Sequence, residues 1–119
     1  MKEKVAIFVD AGYITIVLHK VLGRRVDANT IHRYCKGLLN LPPLRGCQLF
    51  RIYYYDCPSI DDEFTDPNGK VINFSKSSGT HYREKVRDGL RQLSNVVIRT
   101  GELTFKGWIP DGKKNTDLF

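Results

Sequence analysis

Apolar and polar positions follow two periods along this chain, and each period predicts a different element. Residues 4–9 carry the near-continuous run Val5-Ala6-Ile7-Phe8-Val9, closed by Asp10. So short a run, rich in branched and aromatic residues, predicts a strand buried on both faces in the middle of a parallel sheet. A helix is expected from about Ile14 to Leu22, with Gly23 as a left-handed C-cap. A second helix, capped by Asp27 or Asn29, carries Ile31, Tyr34, Cys35, Leu38 and Leu39 at the spacing of one buried stripe. Pro42-Pro43 stops it. The next strand is predicted over 48–55, ending in Asp56, and another over 95–99. Between them a helix from about Thr80 to Leu93 turns Tyr82, Val86, Leu90 and Leu93 inward. Strands alternating with helices predict one α/β domain over residues 1–119, three-layered, with a mainly parallel sheet.

Residues 57–79 show no sustained period. Asp66-Pro67-Asn68-Gly69 is a turn signal, because Pro fixes φ and Asn-Gly tolerates positive φ. The stretch reads as a long loop, functional or mobile, with a short ordered piece at Val71-Ile72. Leu103 to Trp108 predicts a further short strand.

Composition narrows the class. With 41% hydrophobic and 27% charged residues the chain is of ordinary globular type. No apolar run approaches the roughly 20 residues that span a bilayer, so no membrane partner is expected. The N-terminus leads straight into the first strand without a signal-peptide core. Three cysteines, none in a C-x-x-C pair, speak against a disulfide framework or a thiolate zinc site and for a reducing cytoplasm. Cys35 falls on an apolar helix face, as a buried thiol would. The net charge of +6 favours a polyanionic partner, with nucleic acid first among them. Arg83, Arg87 and Arg91 recur every four residues beside the buried face of the third helix. They form either a phosphate-binding stripe or a solvated edge paired with Glu84 and Asp88. Tyr53, Tyr54 and Tyr55 suit base stacking or plain sheet packing.

Candidate chemistry sits at the strand ends, which border the ligand crevice of an open α/β sheet. Asp10 and Asp56 are placed there, and clustered carboxylates suit Mg²⁺ or Mn²⁺, hard cations that prefer oxygen. The competing reading makes each a turn residue, with Gly12 supplying a positive φ. Asp117 follows Lys113 and Lys114, so a lysine there suits a bound phosphate; a frayed polar tail is the alternative. His19, His32 and His81 lack metal-ligand spacing. Neither a nucleophile elbow, nor a phosphate loop, nor a dinucleotide fingerprint occurs.

Four segments together resemble a known family. Ala6-Ile7-Phe8-Val9-Asp10-Ala11-Gly12-Tyr13 resembles the first motif of the NYN-domain, LabA-like branch of the PIN-like nucleases. Arg51-Ile52-Tyr53-Tyr54-Tyr55-Asp56 resembles its second strand, and Leu93 to Leu103 its third strand with the glycine turn that follows. Lys114-Asn115-Thr116-Asp117 resembles its K-G-V-D motif. The resemblance implies a Rossmann-like α/β/α domain and Mg²⁺- or Mn²⁺-dependent cleavage of RNA. Asp10 and Asp117 would hold the metal, with Asp56 as a further ligand and Lys114 positioning the RNA backbone. Arg83, Arg87, Arg91 and Lys113 are the RNA-binding candidates. Two departures stand out. Gly12-Tyr13 replaces the Asn of many relatives, and the family continues into an acidic G-D-S-D-F-like strand end where this chain stops at Phe119. The domain is therefore expected to be truncated at its C-terminus, its site completed by a missing segment or by a homodimer partner. The alternative is a non-catalytic module that binds RNA or protein on a nuclease-like scaffold.

Overall fold

All three apolar runs become strands, and the three pair in parallel. The computed structural model describes residues 2–58, 63–73, 76, 78–101 and 107. In chain order the elements are β1 (Lys4–Asp10), α1 (Ala11–Leu22), α2 (Ala28–Gly37), β2 (Gln48–Asp56), β3 (Glu63–Thr65), β4 (Val71–Asn73), α3 (Ser78–Arg91) and β5 (Val96–Thr100). The main sheet has the order β1-β2-β5, with Phe8 opposite Tyr53 and Tyr53 opposite Val97. The architecture is mixed α/β and compatible with a Rossmann-like fold.

Each local signal works through a specific bond. Asp10 ends β1 and caps α1 at once, its Oδ1 accepting the Tyr13 backbone N–H at 3.1 Å. That cap starts the helix at Ala11, three residues before the hydrophobic period alone suggests. Gly12 therefore lies inside the first helical turn and not at a positive φ, which corrects the turn expectation. Gly23 does adopt φ 71° and donates its N–H to the His19 carbonyl at 2.8 Å, as a left-handed cap should. Residues 63–73 form a small antiparallel hairpin where a long loop was expected. The Asp66 carboxylate accepts the N–H groups of Asn68 and Lys70, and Gly69 takes φ 84°, so the turn organises the short β3 and β4 around it. The strand expected over 103–108 lies outside the described residues.

Asp27 is the cap of α2. Its Oδ1 accepts both the backbone N–H and the hydroxyl of Thr30, each at 2.8 Å. These two bonds, backbone first, hold the Asp27 carboxyl below its ordinary pKa. Such a depressed pKa stabilises the fold above the unfolded-state value, near 3.9, and the gain is lost as pH falls through the folded value. Asp27→Ala should cost about 1 kcal/mol at neutral pH. The difference between variant and parent should shrink as pH falls below the ordinary carboxylate range, as thermal melts across pH can check.

One face of the sheet holds the core. Val9, Ile52 and Tyr54 point into a cluster with Ile14 and Leu18 of α1, Ile31 and Cys35 of α2, and Val86 and Leu90 of α3. All three helices thus cover the same face. β-α-β connections are nearly always right-handed, so two that step in the same direction across a sheet lay their helices on one side. Gly89 lets α3 approach α2, since a Cβ there would come within 2.8 Å of the Ala28 Cβ. The Tyr82 hydroxyl donates to the Val26 carbonyl at 2.6 Å, tying α3 to the segment before α2.

The opposite face carries no helix among the described residues. Burial in β1 accordingly alternates, with Val9 buried and Phe8 two-thirds exposed. The expectation of a strand buried on both faces in the middle of the sheet is corrected on both points, since among the described strands β1 lies at the edge and β2 in the middle. The second helical layer of a three-layer domain is not among the described residues.

Candidate functional site

Parallel strands carry their carboxyl ends to one edge of the sheet, and of the candidate residues Asp10, Asp56 and Arg83 meet there. A crevice of about 380 Å³ is lined by Asp10 and Gly12, by Tyr55, Asp56 and Cys57 after β2, by Arg83 of α3, and by Arg99, Thr100 and Gly101 at the end of β5. Gly101 donates its N–H to the Asp56 carbonyl at 2.9 Å. A side chain at Gly101 would press on the Cys57 sulfur, so its lack of a Cβ lets the two strand ends close together. A larger groove of about 850 Å³ runs between the start of α2 and α3, lined by Arg25, Asp27, His81, Tyr82 and Lys85 among others. It is a helix–helix seam away from the strand ends, so size alone does not make it the site.

Asp56 is the electrostatic centre of the crevice wall. Its side chain is 1% exposed, and both of its oxygens are taken: Arg83 donates to Oδ1 and Arg87 to Oδ2, the latter at 2.9 Å. Burying a carboxylate is unfavourable unless it is paired and hydrogen-bonded, and here two guanidiniums do both. With its oxygens so occupied Asp56 anchors α3 to the end of β2. Arg87 is buried with it, so it does not face RNA from the surface. Arg91 pairs with Asp88 at 2.7 Å on the exposed side of the helix, in line with the solvated-edge reading. The expected basic stripe is therefore split between two roles. Arg83 is the member left half at the surface, its side chain 40% exposed and its Nε buried without a hydrogen-bond partner.

Two arginines sharing one carboxylate leave a positive charge in excess, and Arg99 adds another at the rim. Asp10 supplies the opposing negative charge. It is exposed, and its Oδ1 is engaged by the Tyr13 N–H. A Cβ at Gly12 would make ordinary van der Waals contact with that same oxygen, at 3.4 Å. Tyr54, directly behind, is no acid–base candidate: burial first, and then the Asp56 charge, push its phenol far above the usual range.

Fit to a divalent metal can be judged from these donors. Mg²⁺ and Mn²⁺ take near-octahedral oxygen coordination, with carboxylates as the protein's usual share. Among the described residues no three His, Cys, Asp or Glu side chains come together as a metal-holding group. Among the described residues Asp10 is the one crevice carboxylate not held by arginine, and these residues alone do not make the site. Asp117, Lys113 and Lys114 lie outside the described residues.

Other assignments have simple physical answers. Cys35 is buried, which pushes its thiol up to about 11 and leaves it unreactive. His32 binds the Ser94 carbonyl through Nε2 at 2.9 Å and so braces α2 against the loop before β5. No helix among the described residues is long and apolar enough to cross a membrane. The Asp56 pairing escaped sequence reading although a signal existed, since Arg83 and Arg87 are one helical turn apart and share a face. Arg99 carried no such signal. No family model, no curated protein and no solved structure matches the chain.

Proposed function

We propose that this domain handles RNA on a PIN-like, NYN-type scaffold, holding the sugar-phosphate backbone in the crevice at the strand ends. The observation that carries the reading is that, among the described residues, three guanidiniums stand against two carboxylates there: Arg83 and Arg99 on the rim and Arg87 behind Asp56, facing Asp10 and Asp56. Phosphate oxygens would meet planar donors already held in place, Arg83 by Asp56 and Arg99 by the strand end. The resemblance of residues 6–13, 51–56, 93–103 and 114–117 to the NYN motifs points to the same substrate class.

Binding is tested by fluorescence anisotropy of a labelled single-stranded RNA against residues 1–119 over a range of salt. Affinity should fall steeply with salt, because each neutralised phosphate releases counterions. Arg99→Ala should weaken binding several-fold and lower the salt slope by about 0.7 for the one contact removed. A slope unchanged in Arg99→Ala would remove Arg99 from the interface.

A second reading, a Mg²⁺- or Mn²⁺-dependent endoribonuclease, is favoured by one observation: the Asp10 carboxylate stands exposed at the strand end that borders the crevice. Asp117 and Lys114 would join it. Because two carboxylates, Asp10 and Asp117, are a thin ligand set, residues 1–119 are expected to show weak or no cleavage of single-stranded RNA in Mn²⁺. Cleavage that disappears in Asp10→Asn would establish the enzymatic reading over the binding one.

A further inference from the structure

Among the described residues nothing covers the second face of the sheet, which the core does not use and which continues into the crevice. Side chains on it stand in rows across the three strands: Phe8, Tyr53 and Val97, then Asp10, Tyr55 and Arg99. Phe8 is 67% exposed and Tyr55 46% exposed. The Phe8 ring lies nearly parallel to Tyr53, with centroids 5.2 Å apart and planes at 13°, and to Tyr55 at 6.2 Å and 21°. The Arg99 guanidinium sits 5.7 Å from the Tyr53 ring centroid. At the other end of the face Arg51 lies 4.8 Å and Lys4 5.8 Å from the Phe50 ring. Tyr55 and Arg99 line the strand-end crevice as well, so the two surfaces meet.

We propose that this face is a stacking platform for the bases of single-stranded RNA, whose backbone runs on into the crevice. The proposal rests on the RNA reading above and deepens it by naming the form of RNA and the surface that takes its bases. Flat aromatic rings flanked by cations match a strand that offers flat bases on one side and phosphates on the other. The rows contain one carboxylate, Asp10, at their crevice end, whereas cations flank the rings from both ends. A second copy of the chain laid on this face would bring those like charges towards each other, which costs free energy. Duplex RNA keeps its bases stacked inside and offers the rings nothing to cover them.

The experiment compares a short single-stranded RNA with an abasic oligomer of the same sugar-phosphate backbone, by anisotropy with the full chain. Stacking on a ring is worth about five- to a hundredfold in affinity per base, so the base-bearing strand should bind at least about fivefold more tightly. Phe8→Leu, a change at an exposed position, should shrink that preference while far-UV circular dichroism stays native. In the unmodified chain, ring-proton resonances of Phe8, Tyr53 and Tyr55 should move upfield with the base-bearing strand and not with the abasic one. Equal binding of the two strands would overturn the platform and leave the crevice reading standing. Failure of both strands to bind would overturn the RNA reading and the platform with it. A concentration-dependent dimer in sedimentation, abolished by Phe8→Leu, would assign the face to a second copy and overturn the proposal.

Discussion

Asp56→Ala is expected to cost about 3–5 kcal/mol of folding stability, because it strips the counter-ion from a buried guanidinium. The Arg87 side chain is 10% exposed and has the Asp56 Oδ2 as its partner at 2.9 Å. Without Asp56 that charge stays in the protein interior uncompensated, beside Arg83, and the two cations then repel. A small domain holds about 5–15 kcal/mol in total, so the variant should be largely unfolded at moderate temperature. Urea denaturation followed by circular dichroism measures the loss as a fall in the midpoint. Arg87→Met should be milder, since Asp56 keeps Arg83 and the methionine stem fills the space. The comparison also decides between roles. A carboxylate kept for a metal would leave stability nearly unchanged when removed and affect only Mn²⁺-dependent behaviour. An Asp56→Ala protein as stable as the parent would therefore return Asp56 to the list of ligands.

Leu90→Ala carries the second large effect. Leu90 is 1% exposed and sits where α3 meets the shared core of Val9, Ile31, Ile52 and Tyr54. Truncation loses the transfer free energy of the removed carbons and leaves a cavity that neighbours only partly fill, together about 2–5 kcal/mol. For a domain of this size that is a fall of roughly 10–30 °C in Tm. Val71→Ala, on the exposed side of the small hairpin, should stay within about 0.5 kcal/mol. Scanning calorimetry of the pair reads both. Equal melting points for Leu90→Ala and the parent would contradict a core built on one side of the sheet.

The proposed RNA surface and these two stability predictions share one cause. Putting all three helices on one face concentrates the apolar packing there, which makes Leu90 expensive to lose. It also leaves Phe8 and Tyr55 exposed on the other side, where no helix lies among the described residues. The same arrangement draws α3 alongside the end of β2, so that arginines on one face of a helix find the carboxylate that closes a strand.

What the sequence determined by itself is whatever is set by near neighbours. The three strands, the three helices and the Asp66 turn are legible because hydrophobic period and capping act over a few residues. Gly23 at a helix end and Asp27 at a helix start are readable for the same reason. The hairpin of β3 and β4 was missed because three-residue strands carry almost no period, and only the turn between them is strong. What the tertiary structure decided depends on partners far apart in the chain. Asp56 reads as a turn residue or a metal ligand until Arg83 and Arg87, 27 and 31 residues away, are brought to it. The need for glycine at position 89 is set by Ala28 of α2, which packs against it. A short apolar strand looks alike whether helices cover one of its faces or both, because local pattern holds no record of which layers exist. Parallel pairing and the side on which each crossover lands are non-local, and they alone separated the packed face of this sheet from the open one.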